Sequence, residues 1–325
     1  MHPILKTCLQ RLALGLATLW VVSVIVFAMF ELLPGNFAQA VLGQSATPEI
    51  IENFNKRAGL DHPFLERYGI WLGGAVQGDF GISFGSLTSA GAQERTVASV
   101  IMPRLGNTLF LAAFVAVIAV PLALILGLLA ALYRNSIYDR VVNATTLTAI
   151  SFPEFFIGYI LMLFLAVRLP WFYATSMVEA TTTFWEHVAR IALPMLCLVL
   201  VIVAHMMRMT RAAIINLLAS PFIEMARLKG MPSGRVIWHH ALPNAWAPIA
   251  TVVALNLAYL IVGVVVVEVV FAYPGIGRLM VDAVQSRDVP VVQACAMIFA
   301  TVYILLNLSA DIAGIVTNPR LLHPR

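Results

Sequence analysis

The sequence has 325 residues and a net charge of +4, and 61% of its residues are hydrophobic while only 11% are charged. Soluble domains carry roughly 25% charged residues, so this composition excludes an ordinary soluble protein and favours a chain surrounded by membrane lipid. The basic residues form no tract interleaved with aromatic side chains, so nucleic acid is not an expected partner.

Long apolar runs predict transmembrane helices, because a helix needs about 20 apolar residues to cross ~30 Å of hydrocarbon. Continuous runs also differ from the alternating segments of about ten residues that a β-barrel requires. Five charge-free runs occur, and a sixth is interrupted only by Glu154. They cover residues 12–30, 105–133, 191–207, 241–267 and 289–310, and the sixth covers 141–167. The predicted fold class is an all-α integral membrane protein with six transmembrane helices.

The first apolar run could also be interpreted as a cleavable signal peptide. Lys6 and Arg11 precede it, and Ala38-Gln39-Ala40 follows it like a cleavage site. The apolar core of a signal peptide has about 7 to 15 residues, and the core of this run is longer. We therefore expect an uncleaved helix.

Lys and Arg residues in the short loops predict the orientation, because cytoplasmic loops are enriched in them. A cytoplasmic N-terminus places most of these residues inside, so both termini are expected to be cytoplasmic. Lys6, Arg11, Arg134, Arg140, Arg208, Arg211, Arg227, Lys229, Arg235, Arg320 and Arg325 are then inside, and Arg168, Arg190, Arg278 and Arg287 are outside. The predicted regions are an N-terminus with the first span (1–33), an extracytoplasmic segment (34–102), a core of five spans (103–316) and a cytoplasmic tail (317–325).

The external segment contains an expected amphipathic helix and a match to an enzyme motif. Phe64, Leu65, Tyr68, Trp71 and Leu72 recur at helical spacing. The stretch GISFG, residues 81–85, satisfies the G-x-S-x-G pattern of a hydrolase nucleophile at Ser83. That motif requires a preceding strand and a following helix in an α/β fold, and the composition here does not provide them. We therefore set a serine hydrolase aside.

Histidine and cysteine residues provide no expected metal site, disulfide or cofactor site. His239 and His240 are adjacent, and adjacent helical side chains point about 100° apart, so they do not bind one ion without a third ligand. Cys8, Cys197 and Cys295 lie within or beside apolar runs, far apart in the sequence. They are interpreted as small apolar residues.

The most polar stretch between two spans is PFIEMARLKGMPSGRVIWHHALPN, residues 221–244. Ser220 and Pro221 predict a helix start, in which the serine side chain accepts hydrogen bonds from free amides. Gly230 fits a left-handed turn that ends this helix. Residues 231–233 start a second helix, and Pro243 is expected to begin the next span at a new angle. The prediction is a helix-glycine-helix unit on the membrane surface.

The exposed side chains of this unit favour a docking role. Phe222, Met225 and Met231 are expected at a surface with no bilayer core to bury them, which favours a partner protein. The alternative is a simple connector, in which Glu224 only stabilises the start of the helix by about 0.3 to 1 kcal/mol.

The pattern Glu224-x-Ala226-x-x-x-Gly230, followed by His240-Ala241-Leu242-Pro243-Asn244, resembles the EAA loop of binding-protein-dependent ABC importer permeases. Met225 replaces the usual first alanine. Four further segments resemble, in order, the B-type permease of oligopeptide, dipeptide and nickel importers. They are LLPGNFAQAVLG, GLDHPFLERYGIWLGGAVQGDFGISF, RLGNTLFLA and EVVFAYPGIGRLMVDAVQSRDVP. The sequence departs from the family at Asn36, where Asp is common, and at Glu154, where a small or neutral residue is usual.

The resemblance implies a type I importer fold in the bacterial inner membrane and a transport subunit that is not itself an enzyme. The implied partners are a second permease subunit, usually of the C type, two ATPase subunits and an extracytoplasmic solute-binding protein. The implied substrates are di- or oligopeptides, with nickel, opines and oligosaccharides as alternatives, and a homodimer remains an alternative to a heterodimer. The residues that the resemblance assigns to ATPase coupling, in a loop at 217–244, are Glu224, Ala226, Gly230, His240, Pro243 and Asn244.

Two other classes of protein are less well supported. An ion-coupled secondary carrier shows paired ionisable groups near the midplane, and here only Glu154 and His205 qualify. Such a carrier also has no use for a docking loop. An intramembrane enzyme requires a nucleophile and a base within the spans, and no recognisable pair occurs.

Glu154 lies about midway between Arg140 and Arg168, which places it near the bilayer centre. A carboxylate there costs ~2.5–3.5 kcal/mol unless it faces a partner or a wet cavity. Pro153 frees the carbonyl of Ala149 and is expected to kink the helix. Glu154 is interpreted either as a path-lining group that favours cationic substrates or as a structural group paired within the bundle.

Overall fold

Residues 3–31, 37–43, 47–87, 93–179 and 181–316 are described by a computed structural model, and most of them are helical. The described residues form no strand and only an isolated bridge between Ile82 and Thr96. Up to the first half of the core, the helices are α1 (Pro3–Glu31), α2 (Phe37–Leu42), α3 (Pro48–Ala58), α4 (Phe64–Val76), α5 (Phe84–Leu87), α6 (Val97–Leu132), α7 (Ile137–Ser151) and α8 (Glu154–Leu161), which continues as the π-helical segment π1 (Met162–Arg168). The second half contains α9 (Phe184–Leu218), α10 (Pro221–Leu228), α11 (Ser233–Arg235), the π-helical segment π2 (Val236–Ala241), α12 (Leu242–Val270), α13 (Ile276–Gln285) and α14 (Val289–Val316).

Among the described residues, five helices are long and apolar enough to cross a membrane, namely α1, α6, α9, α12 and α14. Each contains one of the five charge-free runs to within one residue at either end, so these spans are confirmed. Helix α9 packs against α6 and α12, while α14 packs against α12 and α1. The main hydrophobic core lies between α6, α9 and α12, where residues such as Leu111, Ile202 and Leu260 are buried.

The sixth span is broken into two helices that meet at an angle of 102°. Phe152 adopts an extended backbone conformation, as expected before a proline, and Pro153 has no amide hydrogen to continue the helical hydrogen bonds. The expected kink in one helix is therefore a complete break between α7 and α8.

The broken pair still crosses the membrane. At its start Asp139 binds Arg211, and after its end the hydroxyl of Ser176 donates to the carbonyl of Arg190 at 2.7 Å. Arg190 and Arg211 lie near opposite ends of α9, on the order of 30 Å apart at the rise of an α-helix. With the broken pair counted as one span, the described residues make six crossings.

These crossings divide the connecting segments between two sides. We call the side that carries α10 the coupling side, and the side that carries α3, α4 and α13 the far side. On the far side Ser83 donates to Asp288, which joins the segment before α6 to the segment before α14. The far side is therefore one packed layer.

Helix α4 is the amphipathic helix that the sequence predicts, and it lies against the far-side end of α1. The ring of Phe27 on α1 is 5.4 Å from the rings of Phe64, Tyr68 and Trp71. Tyr68 also forms a hydrogen bond of 2.8 Å with Ser23 on α1. These contacts fix the far-side layer to the first span.

Candidate functional site

The coupling loop, residues 217–244, begins with a turn that leads from α9 into α10. Ser220 occupies the cap position, and its backbone carbonyl accepts hydrogen bonds from the amides of Ile223 and Glu224 at 3.0 and 3.1 Å. Its hydroxyl donates to the carbonyl of Leu217 and does not cap the helix. The predicted side-chain cap at Ser220 is therefore wrong, because the hydroxyl completes the end of α9 instead.

Helix α10 ends in the predicted left-handed turn at Gly230, whose φ is +75°. The Gly230 amide donates to Arg227 at 2.9 Å, and the Met231 amide donates to Ala226 at 3.3 Å. This pair of hydrogen bonds is a Schellman motif, which lets the chain reverse at the end of a helix. A side chain at Gly230 would meet no atom within 4 Å, so the requirement for glycine lies in its backbone conformation.

The inner face of α10 packs against the rest of the loop. Ile223 and Ala226 are buried with Val236 and Ala241, and Met231 packs on this cluster. Met231 is therefore only partly exposed, contrary to the prediction. The Schellman turn explains this result, because it places an apolar residue after the turn against the last turn of the helix.

The outer face of α10 is apolar and exposed. Phe222, Met225 and Leu228 are 44%, 54% and 75% exposed, and Glu224 is exposed beside them. No described residue of the chain covers these side chains. Leu228 was not predicted to belong to this surface, although it follows Met225 at helical spacing.

Helix α12 continues from π2 without a new start at Pro243. The Leu242 amide donates to the carbonyl of Ile237, five residues earlier, and Pro243 follows in the first turn of α12. The amide group of Asn244 donates to the carbonyl of His240 at 2.7 Å. The helix continues through Pro243 because the wider π turn accommodates the proline ring, and the predicted new angle of the span stays a prediction.

The structure brings the predicted coupling residues into one folded unit, since α10 packs on π2. Their exposure differs. Glu224, Gly230, Pro243 and Asn244 are exposed, His240 is half-buried and Ala226 is buried. The exposed residues are available to a partner, whereas Ala226 stabilises the unit from within.

Glu154 is half-buried at the first turn of α8, between α9 and α12. Its carboxylate interacts with the side chain of Tyr259 on α12. Its backbone carbonyl accepts a contact of 3.6 Å from the Cys197 thiol on α9. A Cβ atom at Gly263 would lie 3.0 Å from the carboxylate, so this glycine leaves the space that Glu154 occupies.

Tyr259 extends this polar site. It is 40% exposed, and its ring lies 5.3 Å from the ring of His205 on α9. Glu154, Tyr259 and His205 thus form a polar surface on helices that cross the membrane. Such groups face a partner or a water-filled cavity rather than lipid.

A second polar cluster lies on the far side and was missed by the sequence analysis. Glu268 is fully buried and accepts hydrogen bonds from Thr108 at 2.6 Å and from the amides of Gly277 and Arg278 at 2.7 and 3.2 Å. It therefore caps the start of α13. The sequence contains a signal for this cluster, because the Glu268 carboxylate directly follows the apolar run 241–267.

Tyr273 connects the same region to two further spans. Its hydroxyl donates to the carbonyl of Asn107 at 2.8 Å and contacts the Nε2 atom of His187 at 2.9 Å. Burial, with the nearby Glu268 carboxylate, raises the pKa of the Tyr273 hydroxyl, which stays protonated as a donor. This cluster ties the far-side ends of α6, α9 and α12 together.

Ser83, the nucleophile of the formal hydrolase motif, has a structural role. Its hydroxyl donates to Asp288, and the same carboxylate accepts from the amides of Phe84 and Gly85 at 3.0 and 3.1 Å. A serine held directly by a carboxylate lacks the histidine base that a catalytic triad places between them. The GISFG stretch thus anchors the far-side layer.

Two family profiles match the chain. The profile described as "Binding-protein-dependent transport system inner membrane component" matches residues 119–323. The profile described as "Binding-prot-dependent transport system membrane comp, N-term" matches residues 4–112. Together they cover the spans, the coupling loop and most of the far-side layer.

Relatives of similar length are known. The glutathione transport system permease protein GsiC of Escherichia coli (strain K12) is 36% identical over 315 residues, which cover 97% of this chain and 98% of that protein. Proteins of the same name from Shigella dysenteriae serotype 1 (strain Sd197) and Shigella flexneri serotype 5b (strain 8401) have the same identity and coverage. Since one profile alone matches more than half of the residues, the chain belongs to the binding-protein-dependent family of ABC importer permeases.

Proposed function

We propose that the chain is the B-type subunit of an ATP-driven peptide importer, in which ATPase subunits dock on the coupling loop. The observation that carries this proposal is the outer face of α10, where Phe222, Met225 and Leu228 are exposed on a rigid unit. Exposed apolar patches of this kind mark protein interaction sites. A transport subunit that receives work from a partner needs a rigid element that the partner can push.

The proposed orientation places the coupling side in the cytoplasm, where ATP is available. The bias of Lys and Arg toward the loops of that side supports it. The far side then faces an extracytoplasmic solute-binding protein. A second permease subunit, a C-type sister or a second copy, completes the translocation path.

The proposed substrates are short peptides, and glutathione is the first to test. The relatives that align along nearly the whole chain are named as glutathione transport permeases. Nickel, opines and oligosaccharides are less favoured, because none of these relatives is named for them. An ion-coupled carrier is disfavoured by membership of the importer family.

The polar surface of Glu154, Tyr259 and His205 is proposed to line the translocation path. Glu154 is half-buried rather than enclosed, and its partner Tyr259 is itself exposed within a span. A carboxylate in this position attracts a positive group, such as the amino group of a peptide. The interaction with Tyr259 also supports the structural alternative, and the Glu154→Gln substitution separates the two roles.

The docking proposal is tested with two matched substitutions at exposed leucines. Leu228→Glu places a charge on the outer face of α10, and Leu65→Glu places one on α4, where Leu65 is 78% exposed. We expect Leu228→Glu to abolish co-purification of the ATPase subunits and uptake, while Leu65→Glu retains both. Retention of the ATPase subunits by Leu228→Glu at normal expression would contradict the docking site.

The energy source is tested separately. Uptake of radiolabelled glutathione is measured in cells with and without the ATPase subunits, and again after the proton gradient is collapsed at constant ATP. We expect uptake to require the ATPase subunits and to persist without the gradient. The opposite pattern would favour the secondary carrier.

A further inference from the structure

A cavity of about 720 Å³ lies in the far-side layer, between the ends of α1 and α14 and the helices α3 and α4. Cavities of about 300 to 1,000 Å³ are typical of small-molecule sites. Its wall includes the aromatic rings of Phe27, Trp71 and Phe84 and the side chain of Gln293. The cavity lies about 30 Å from the coupling loop, because it is at the other end of the spans.

One buried polar atom in this wall has no partner in the described part of the chain. The indole nitrogen of Trp71 is buried and has no acceptor there. A buried donor without an acceptor costs about 1 to 3 kcal/mol, so Trp71 favours a bound polar ligand. Gln293, which is 4% exposed, places a second polar side chain on the same cavity.

The charge of the wall favours an anionic group. Lys56, Arg57, His62 and Arg67 line the cavity, and Asp79 is the carboxylate among the described lining residues. Lys56 and Arg57 also pair with Glu52 and Glu94, and His62 lies 3.3 Å from Glu66. The side chains of these three glutamates lie outside the lining. Phosphate oxygens accept hydrogen bonds from cationic and amide donors of this kind.

An apolar groove of about 420 Å³ adjoins this cavity at membrane depth. Phe80 lines both spaces. Leu16 and Trp20 of α1 form one wall of the groove, and Met297 and Thr301 of α14 form the other. Both helices are spans, so the groove faces the hydrocarbon of the bilayer. Its lining is suited to an acyl chain rather than to a peptide.

From this arrangement we propose that α1, α4 and α14 hold a phospholipid, with an acyl chain in the groove and the phosphate in the far-side cavity. The apolar groove lies at membrane depth and the cationic cavity lies in the far-side layer. The tail and headgroup of a lipid in the adjoining leaflet are arranged in the same way. The phosphate accepts from the indole nitrogen of Trp71, whose buried donor is then satisfied, and from the side-chain amide of Gln293. The site is separate from both the coupling loop and the polar surface around Glu154.

The experiment measures phospholipid retained by the purified full-length chain. The chain is reconstituted with phosphatidylethanolamine and phosphatidylglycerol, washed in detergent and analysed by native mass spectrometry. Ala75→Trp fills the groove, and Gln293→Leu removes the buried amide with little change of shape. Val117→Trp on α6 is the control, because Val117 is 73% exposed on a different helix.

We expect the parent chain and Val117→Trp to retain a phospholipid, and Ala75→Trp and Gln293→Leu to lose it. Retention by both Ala75→Trp and Gln293→Leu would overturn the site. Binding of added inorganic phosphate in place of phospholipid, abolished by Gln293→Leu, would also overturn it, because the ligand would then be a soluble anion. Thermal unfolding of each variant in detergent checks that the variant is folded, so that phospholipid retention is compared between folded proteins.

Discussion

Two small residues of the coupling loop have different physical roles. Gly230 is required by its backbone, because its φ of +75° lies in the left-handed region while its surroundings are open. Ala226 is required by its size, because it packs against Ile223 and Val236. The sequence pattern places both in one motif, and only the structure separates the two requirements.

Gly230→Asp is expected to leave the protein inserted and to stop both transport and stimulated ATP hydrolysis. The substitution costs about 1 to 3 kcal/mol of backbone strain in the turn and places a carboxylate at the proposed partner surface. Gly234→Asp is the matched control, because Gly234 is also open and has no left-handed conformation. Uptake and ATPase activity are measured at equal expression, and full uptake by Gly230→Asp would refute the proposed role of the turn.

Glu154→Gln is expected to retain assembly while reducing uptake of cationic peptides more than uptake of neutral peptides. The glutamine keeps the shape and the capacity to form hydrogen bonds but removes the charge that attracts an amino group. Glu66→Gln on α4 serves as a control for an exposed carboxylate away from the spans. Competition uptake with neutral and basic peptides measures the difference. Equal uptake of both classes would leave only the structural role.

A helix or turn can be predicted from the sequence where its own residues determine its conformation. The five straight spans could be predicted because each apolar run is long enough, and the turn at Gly230 could be predicted because glycine favours it. The full break at Pro153 and the continuous helix through Pro243 could not be predicted from the sequence. Both prolines lack an amide donor, so the contacts of the neighbouring residues determine whether the helix breaks or continues at each one. The π-helical segment π2 accommodates Pro243, whereas α8 packs against α9 and α12 after the break.

Contacts between residues that are far apart in the sequence could not be predicted either. The hydrogen bonds of Asp288 to the segment at Ser83 span more than 200 residues of sequence. Spacing within either segment contains no information about the other. The carboxylates at 268 and 288 therefore escaped prediction as structural centres, although each is visible as a charge beside an apolar run.

Ala226→Asp is expected to destabilise the packing of α10 on π2. A carboxylate in this cluster has no described cation as partner, and burial without a partner costs about 1 to 3 kcal/mol or more. Met225→Asp is the control on the exposed face of the same helix. Limited proteolysis of the loop in membranes measures the difference. We expect faster cleavage only in Ala226→Asp, and equal cleavage of the two variants would show that the cluster does not hold the loop.

At the scale of the whole molecule, six crossings place alternate segments on opposite sides. The proposed orientation predicts that single cysteines at Leu60 and Gln285 are labelled from outside by an impermeant reagent. Cysteines at Ile137 and Gly230 are expected to be labelled only after the membrane is opened. Labelling of position 230 from outside would contradict the cytoplasmic coupling side. The further expected positions, 180 outside and 322 inside, lie beyond the described residues.

The burial of Glu268 has a consequence for the order in which the protein is made. Its donors are Thr108 on α6, which is synthesised earlier, and the amides of Gly277 and Arg278, which are synthesised later. A nascent chain that ends near Phe271 therefore carries a carboxylate that lacks two of its donors. We therefore expect α12 to reach its final depth only after α13 has been synthesised and has folded over the far-side end. Insertion of the last two spans is then coupled, and a ribosome stalled between them is expected to leave a membrane intermediate that quality-control proteases can recognise.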